Sequence, residues 1–101
     1  MKRYHIHIAA EALQDMRETS YYITVVLKAP VTSERYVEGI YRTISQLSFY
    51  GGSIAPSRHE YLQRQYGPGA RTVVYRKMLI VFNVRRDVIV IRRVMPGGLI
   101  R

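Results

Sequence analysis

Two strand-like runs in the C-terminal third of the chain constrain its fold most. Residues 78–84, MLIVFNV, are apolar at almost every position, and residues 88–94, VIVIRRV, follow after only three polar residues, Arg85-Arg86-Asp87. Runs rich in Val and Ile that flank so short a polar connection predict an antiparallel hairpin. A strand without polar alternation is covered on both faces. The sequence therefore predicts a sheet with residues 78–84 at its centre, joined by a further strand at residues 71–75.

The N-terminal half predicts one strand and two helices. Residues 4–8 alternate between apolar and polar side chains, as in a strand with one buried face. From residue 9 to about residue 28, apolar residues recur every three or four positions, which predicts an amphipathic helix that Ala29-Pro30 ends. Thr32 or Ser33 then provides the N-cap of a second helix. The short link makes the two helices an antiparallel hairpin, and the apolar seam of the second helix consists of Val37, Ile40, Ile44 and Leu47.

Gly51-Gly52 ends the helical half, and residues 53–70 combine a mixed period with two prolines. This composition predicts a long loop with one short edge strand. A chain of 101 residues buries about two-thirds of its unfolded surface, which is enough for one core. We therefore expect one domain over residues 1–101, of the α+β class, with an N-terminal strand and a helix hairpin packed on one face of a mostly antiparallel twisted sheet.

The charge is strongly positive and lies in the second half of the chain. Lys and Arg number 16 against 7 Asp and Glu, a net charge of +9. Residues 51–101 hold ten of the cations and two of the acids, a net +8 for that half. Such a field is typical of proteins that bind nucleic acid or an acidic protein. The alternative is charge that serves only solubility.

Several classes of protein are disfavoured by what the sequence lacks. It has no cysteine, which excludes disulfides and thiolate zinc sites and suits a reducing cytoplasm. No stretch approaches the roughly 20 apolar residues of a membrane span, so we expect a soluble cytoplasmic protein. His5 and His7 share a face of the first strand, but no third ligand follows at a predictable spacing. We expect neither a metal nor another cofactor.

The order of these elements, together with three short motifs, resembles the toxins of the RelE/ParE superfamily from type II toxin–antitoxin modules. EALQDMRETSYYITVVLKAP followed by SERYVEGIYRTISQL looks like the helix hairpin of that family. Gly69-Ala70-Arg71 resembles its Gly-x-Arg motif, LIVFNV its central strand, and Arg93-Val94 the end of its closing strand. The resemblance covers nearly the whole chain.

The resemblance implies a small basic toxin that a cognate antitoxin wraps and neutralises. ParE-like members poison DNA gyrase and need not be enzymes, whereas RelE-like members cleave messenger RNA in the ribosome. The nuclease-type members place a Tyr or His just after the last strand, and residues 95–101 here contain neither. The sequence therefore favours gyrase poisoning slightly over ribosome-dependent RNA cleavage, and the question whether the protein is an enzyme stays open.

Candidate site residues follow from the charge of the strands and from the resemblance. RNA cleavage needs a base, an acid and cations that stabilise the charged phosphorane. By resemblance Arg71 supplies a phosphate contact and Arg93 is the arginine of the closing strand, and both are candidate catalytic residues. The loop residues His59 and Glu60 are candidates for proton transfer, with Tyr61, Tyr66 and Tyr75 as further candidates. A larger set is expected to bind the target or a nucleic acid: Arg58, Arg71, Arg76, Lys77, Arg92 and Arg93.

The candidate site residues lead to one expectation about the structure. The strand arginines should gather in one hollow on the sheet face that the helices leave open. Two other functions compete with the toxin: a non-toxic basic module that binds nucleic acid, and an interaction protein whose basic face binds only an acidic protein partner. Direct nucleic-acid affinity that falls steeply with salt separates the first of these from the second.

Overall fold

The computed structural model describes residues 3–99, which form one four-stranded sheet with helices on both faces. The strands are β1 (His5–Ile8), β2 (Arg71–Tyr75), β3 (Met78–Arg85) and β4 (Val88–Pro96). The helices are α1 (Ala10–Tyr21), α2 (Pro30–Tyr50) and α3 (Glu60–Tyr66). A π-helical turn, Tyr22–Val26, extends α1, and 3-10 turns occupy Gly51–Ser53 and Gly97–Leu99.

The sheet confirms the predicted α+β architecture and its central hairpin. Its strand order is β1-β4-β3-β2, with β1 parallel to β4 and the other pairs antiparallel. β1 pairs with β4 only as far as Ile8, opposite Ile91, because the chain then leaves the sheet at Ala9 to begin α1. The last residues of β4 therefore extend past the end of β1 and run beside α1.

The two helices of the hairpin cover one face of the sheet, called here the front face. Their apolar seams meet alternate residues of the central strands, which gives the main core. Because side chains of a strand alternate between faces, the intervening residues of β3 point to the opposite, back face. The fully buried front-face residues include Ile40, Ile44 and Leu47 from α2 and Ile80, Phe82, Ile89 and Ile91 from the strands.

Helix α3 covers part of the back face, and its presence corrects the predicted loop with an edge strand. Leu62 and Tyr66 lie four residues apart, so they share one side of the helix and pack over Val81 and Met95. The helix ends at Gly67, whose φ of 94° suits glycine. The prediction of a central strand covered on both faces is confirmed, but α3 supplies the second cover.

The helix hairpin is confirmed, with two local corrections. The predicted helix to about Lys28 changes to a π-helical turn after Tyr21, in a segment rich in β-branched residues that crowd an α-helix. The second helix begins at Pro30, whose missing N–H costs nothing in the first turn, rather than after a Thr or Ser cap. Ser33 instead donates its hydroxyl to the Ser20 carbonyl oxygen at 3.1 Å and joins the two helices.

Candidate functional site

Two consecutive arginines lie at an irregularity of the central hairpin. Val81 pairs with Arg93, and the next residue of β3, Phe82, pairs with Ile91, so Arg92 is an extra residue in β4. An extra residue of this kind forms a β-bulge, which bends the strand and changes the direction of nearby side chains. Such bulges are frequent beside functional sites.

Arg92 is held on the back face by α3 and β3. Its Nη1 donates to Asn83 Oδ1 at 2.8 Å, and its guanidinium carbon lies 5.3 Å from the centroid of the Tyr66 ring. The Asn83 side-chain amide in turn donates to the Tyr66 carbonyl oxygen at 3.0 Å. We call Tyr66, Asn83, Arg92 and Arg93 the back-face cluster. Its members come from α3 and the two central strands, which fixes the place of Arg92 before any target binds.

Arg93 forms a bidentate pair with Asp15 of α1. Its Nε donates to Asp15 Oδ2 at 2.6 Å and its Nη2 to Asp15 Oδ1 at 2.9 Å. The backbone N–H of Val94 donates to the same Oδ2 at 2.9 Å, on the side of β4 that β1 no longer covers. The hydrogen bond to Asp15 raises the pKa of Arg93 above its ordinary value, so the guanidinium stays charged. Asp15 thus completes the edge of the sheet and fastens α1 to it.

Arg71 is engaged in a different contact at the end of α2. Its Nη1 donates to the carbonyl oxygens of Gly51 and Gly52 at 3.3 and 3.0 Å. Carbonyl groups at a helix C-terminus lack partners within the helix and carry partial negative charge, so a guanidinium stabilises them. The buried Nε–H of Arg71 donates to no partner among the described residues. Arg71 therefore joins the start of β2 to the end of α2.

Arg71 and Arg93 lie on opposite faces of the sheet. Arg71 pairs with Phe82, whose side chain belongs to the front-face core, whereas Arg93 pairs with Val81, which packs against Leu62 on the back face. Directly paired residues point to the same face. The structure thus does not bring Arg71 and Arg93 together, contrary to the expectation of one hollow that gathers the strand arginines. A role of either residue in catalysis stays a prediction.

The other predicted cations are distributed over the molecule. Arg76 and Lys77 form the exposed turn between β2 and β3, and Arg76 Nε donates to the Tyr75 hydroxyl at 3.2 Å. Arg58 is exposed on the segment before α3. Of the predicted target-binding residues, only Arg92 lies beside Arg93 around the Tyr66 ring.

His59 and Glu60 lie at the start of α3 rather than in a loop. His59 is the N-cap residue and is half-buried, and its backbone N–H donates to Ser57 Oγ at 3.1 Å. Glu60 is the first residue of the helix and points to solvent, with its carboxylate 3.7 Å from the Arg64 guanidinium. An acid in the first turn favours the helix dipole, which gives Glu60 a local structural role. Their predicted part in proton transfer stays a prediction.

The back-face cluster is better suited to bind an anion than to transfer protons. Arg92 presents guanidinium N–H groups, and the Tyr66 hydroxyl lies 3.4 Å from Arg93 Nη1. General base catalysis needs a base that is free to accept a proton. The Asp15 carboxylate beside the cluster already accepts three hydrogen bonds, two from Arg93 and one from Val94. The arrangement therefore supports contact with phosphate or carboxylate through Arg92.

The sequence contains one signal for this cluster, the spacing of two apolar residues, and none for the contact between Asp15 and Arg93. Leu62 and Tyr66 have helical spacing, but Pro56, Pro68 and the glycines around them favoured a loop. Asp15 and Arg93 are 78 residues apart, and neither residue type nor spacing indicates that they meet. The pairing depends on where β1 ends and α1 begins.

Comparison with known proteins gives matches in structure only. Neither a protein-family model nor a curated protein matches the sequence. A chain from the chromosomal ParDE TA system of P. aeruginosa superposes with a TM-score of 0.74 at 18% identity, over 93% of this chain and 96% of that one. The fold is RelE/ParE-like. A chain from the RelBE2 toxin–antitoxin complex of Mycobacterium tuberculosis gives a TM-score of 0.64 at 16% identity, over 93% of this chain and 98% of that one.

The N-terminal strand, the two helices of the hairpin and the open, mixed four-stranded sheet match the fold of these neighbours, which cover 93% of the chain. Within residues 3–99, no helix combines the length and the apolar character that a membrane crossing requires. The same residues contain no group of three or more His, Cys, Asp or Glu side chains that is arranged to hold a metal ion.

Proposed function

We propose that the protein is the toxin of a type II toxin–antitoxin module and that it acts in the cytoplasm by ParE-like poisoning of DNA gyrase. The likeness to the ParDE and RelBE2 structures over 93% of the chain supports the toxin role and a cognate antitoxin as partner. Growth inhibition of this kind serves plasmid stabilisation. The net charge of +9 suits an acidic antitoxin or a target that carries nucleic acid.

The hydrogen bonds that Asp15, Arg71 and Arg93 make within the fold favour gyrase poisoning over RNA cleavage. A nuclease stabilises the phosphorane with guanidinium groups that meet the phosphate. Arg71 and Arg93 are held in contacts with the end of α2 and with Asp15, and residues 95–101 contain no Tyr or His. A toxin that binds its target without cleaving it needs no such constellation. RelE-like cleavage of messenger RNA in the ribosome is the second candidate, supported by the RelBE2 likeness.

Induced expression in a bacterial host tests the proposal. We expect growth arrest, rescue by co-expression of the cognate antitoxin, and accumulation of double-strand DNA breaks with full-length transcripts. Truncated transcripts without DNA breaks would favour the RelE-like alternative. Normal growth with the folded protein present would contradict the toxin role.

A pair of matched variants tests whether the back-face cluster contacts the target. Arg92→Ala removes the guanidinium that Asn83 and Tyr66 hold, whereas Arg85→Ala removes the same charge from the exposed end of β3. We expect Arg92→Ala to require at least a tenfold higher inducer concentration for the same growth arrest. Arg85→Ala should arrest growth at the same inducer concentration as the wild type. Equal effects of the two variants would assign the loss to total charge instead of the cluster.

A further inference from the structure

A small recess lies where the first turns of α2 meet the end of β2. Its volume is about 180 Å³, and five residues line it: Thr32, Arg35, Tyr36, Tyr75 and Arg76. Pockets for drug-sized ligands begin at about 300 Å³, so this recess suits a smaller molecule or a single chemical group. Every lining side chain carries a hydroxyl or a guanidinium group, each of which can donate a hydrogen bond. We call it the arginine–tyrosine recess.

The two tyrosines of the recess are fixed by their packing. The rings of Tyr36 and Tyr75 lie edge to face, with centroids 5.5 Å apart. The Tyr75 hydroxyl lies against Gly39 of α2, where the absence of a Cβ leaves room for it. Burial raises the pKa of Tyr36, so its hydroxyl keeps its proton and can donate it to an anion. The aromatic side of the recess is therefore formed before any ligand binds.

Two arginines bring guanidinium groups to the recess from different elements. Arg35 belongs to α2, and Arg76 lies in the turn between β2 and β3. The Arg76 Cζ lies 5.6 Å from the centroid of the Tyr75 ring, and its Nε donates to the Tyr75 hydroxyl at 3.2 Å. This bond uses one of the five N–H groups of the guanidinium. No described residue accepts a hydrogen bond from the other four.

No acid among the described residues balances the charge of the recess. Aspartate and glutamate are absent from its lining, and neither Arg35 nor Arg76 takes part in an ion pair between described residues. Arg93, in contrast, is paired with Asp15. Two guanidinium groups around one small cavity repel each other unless an anion lies between them. The charge of the recess therefore favours an anionic ligand.

We propose that the arginine–tyrosine recess binds a phosphate monoester through Arg35 and Arg76. A carboxylate has two oxygens in one plane, which a single arginine satisfies, as Asp15 and Arg93 show. A phosphate monoester carries a charge of about −1.5 to −2 and three acceptor oxygens. It can therefore meet two guanidinium groups and a hydroxyl at once, and Thr32 supplies a hydroxyl at the recess.

This inference goes beyond the proposed function, because its site and its ligand differ from those of the toxin. Tyr36 and Tyr75 pack against the front-face core, whereas the back-face cluster lies on the opposite side of the sheet. A phosphate monoester has two possible sources, a small phosphorylated metabolite and the 5′-phosphate end of a nucleic acid. Both present the same terminal group to the two arginines.

NMR titration of the full chain with inorganic phosphate tests the site. With the ionic strength held at about 0.15 M, we expect a dissociation constant of about 1 mM. The backbone amide signals of residues 31–36 and 75–77 should shift, and acetate at the same concentration should leave them unchanged. Shifts centred on residues 85–87 or 92–93, or equal shifts with acetate, would overturn the proposal.

Two tetranucleotides of DNA, one with a 5′-phosphate and one with a 5′-hydroxyl, distinguish the two sources. If the phosphorylated form binds the recess at least about tenfold more tightly than inorganic phosphate, the ligand is a nucleic-acid end. Equal affinities of these two probes support a small phosphate ester. Equal shifts of the recess signals by both tetranucleotides would exclude a monoester as the recognised group and overturn the proposal.

A matched pair of variants on α2 separates the recess from general charge attraction. Arg35 and Arg42 are both exposed on this helix, and two helical turns separate them. This spacing places Arg42 about 11 Å away, beyond the Debye length of about 8 Å. We expect Arg35→Gln to weaken phosphate binding about fivefold, and Arg42→Gln to change it less than about 1.5-fold. Equal losses would show that net charge, not the recess, attracts the phosphate.

A second pair of variants tests the arginine of the turn. Arg76 and Arg86 both follow a strand in a tight turn, both have a φ of 55°, and they lie at opposite ends of β3. Glycine relieves the left-handed backbone at either position and removes one charge. We expect Arg76→Gly to weaken phosphate binding about fivefold, and Arg86→Gly to leave it within about 1.5-fold of wild type. Unchanged binding in Arg76→Gly, with the fold checked by circular dichroism, would overturn the proposal. None of these experiments measures growth, so failure here is distinct from failure of the toxin proposal.

Discussion

Replacing Asp15 by Ala removes a carboxylate that three donors share. Two hydrogen bonds from Arg93 and one from the Val94 N–H are lost together. The Asp15 side chain is 11% exposed and that of Arg93 is 35% exposed, so water replaces the lost partner only in part. Removing one member of a buried pair costs about 3–5 kcal/mol, and partial exposure places this case near the lower limit. We expect a loss of about 3 kcal/mol in the free energy of unfolding.

Urea denaturation followed by far-UV circular dichroism measures that loss, and thermal unfolding should show a decrease in Tm of about 10–20 °C. Arg93→Ala and the double variant complete a thermodynamic cycle. We expect a coupling free energy of about 2 kcal/mol, because the second substitution removes a charge that the first left without its partner. Asp15→Asn should fall between wild type and Asp15→Ala, since its amide oxygen still accepts from Val94. Additive single losses, or a loss below about 1 kcal/mol for Asp15→Ala, would refute the structural role assigned to this pair.

Two further predictions concern the contact between α2 and β2. A Cβ on Gly39 would lie 1.9 Å from the Tyr75 hydroxyl oxygen, so Gly39→Ala should destabilise the protein by about 1–2 kcal/mol in urea denaturation. In a Tyr75→Ala background the same change should instead stabilise it by up to about 1 kcal/mol through helix propensity; destabilisation in both backgrounds would refute the steric cause. Burial raises the pKa of Tyr36, so the folded state retains that proton above pH 10 and stability should fall as pH rises through this range. Tyr36→Phe should make this decrease shallower in denaturation curves between pH 9 and 11, and identical slopes would exclude Tyr36 as a source.

The strands were predictable because local pattern determines them. The sequence predicts a strand at residues 71–75 with the observed bounds, and the strands predicted at 78–84 and 88–94 each extend in the structure by only one or two residues at one end. Their Val and Ile content and the short polar connection between them suffice for a hairpin. The N-terminal strand also follows from alternation alone. Its parallel pairing with β4 does not, because that pairing depends on how the helix hairpin returns the chain across the sheet.

Helix α3 and the arginine contacts could not be predicted from the sequence, for a different reason. A seven-residue helix is too short to be stable alone, and Leu62 and Tyr66 stabilise it only because Val81 and Met95 lie beneath them. The sequence gives no sign of that support. In the sequence, a short helix between prolines therefore looks like a loop unless the position of the strands that support it is known.

The inward contacts of Arg71 and Arg93 change which residues are available to a target. The sequence predicts that arginines in the C-terminal strands form a functional surface, because it shows no partner for their charge. In the fold, the carbonyl oxygens of Gly51 and Gly52 at the end of α2 accept hydrogen bonds from Arg71, and the Asp15 carboxylate accepts them from Arg93. When a residue that stabilises the fold in this way turns toward a ligand, the folded protein loses the stabilisation that its contact gave.

The cations that the fold does not require are therefore the best candidates for contact with the target. Arg58, Arg76 and Lys77 are exposed, and Arg92 is held at the surface by Asn83 and Tyr66 without closing a gap in the backbone pairing. Alanine at these positions should leave unfolding free energies within about 0.5 kcal/mol of wild type, the usual range for surface substitutions, with Arg92 at the upper limit. A scan that measures both growth arrest and stability then separates the two groups. If Arg71→Ala or Arg93→Ala abolished arrest at unchanged stability, their contacts with α2 and Asp15 would be incidental, and the sheet arginines would regain a direct role at the target.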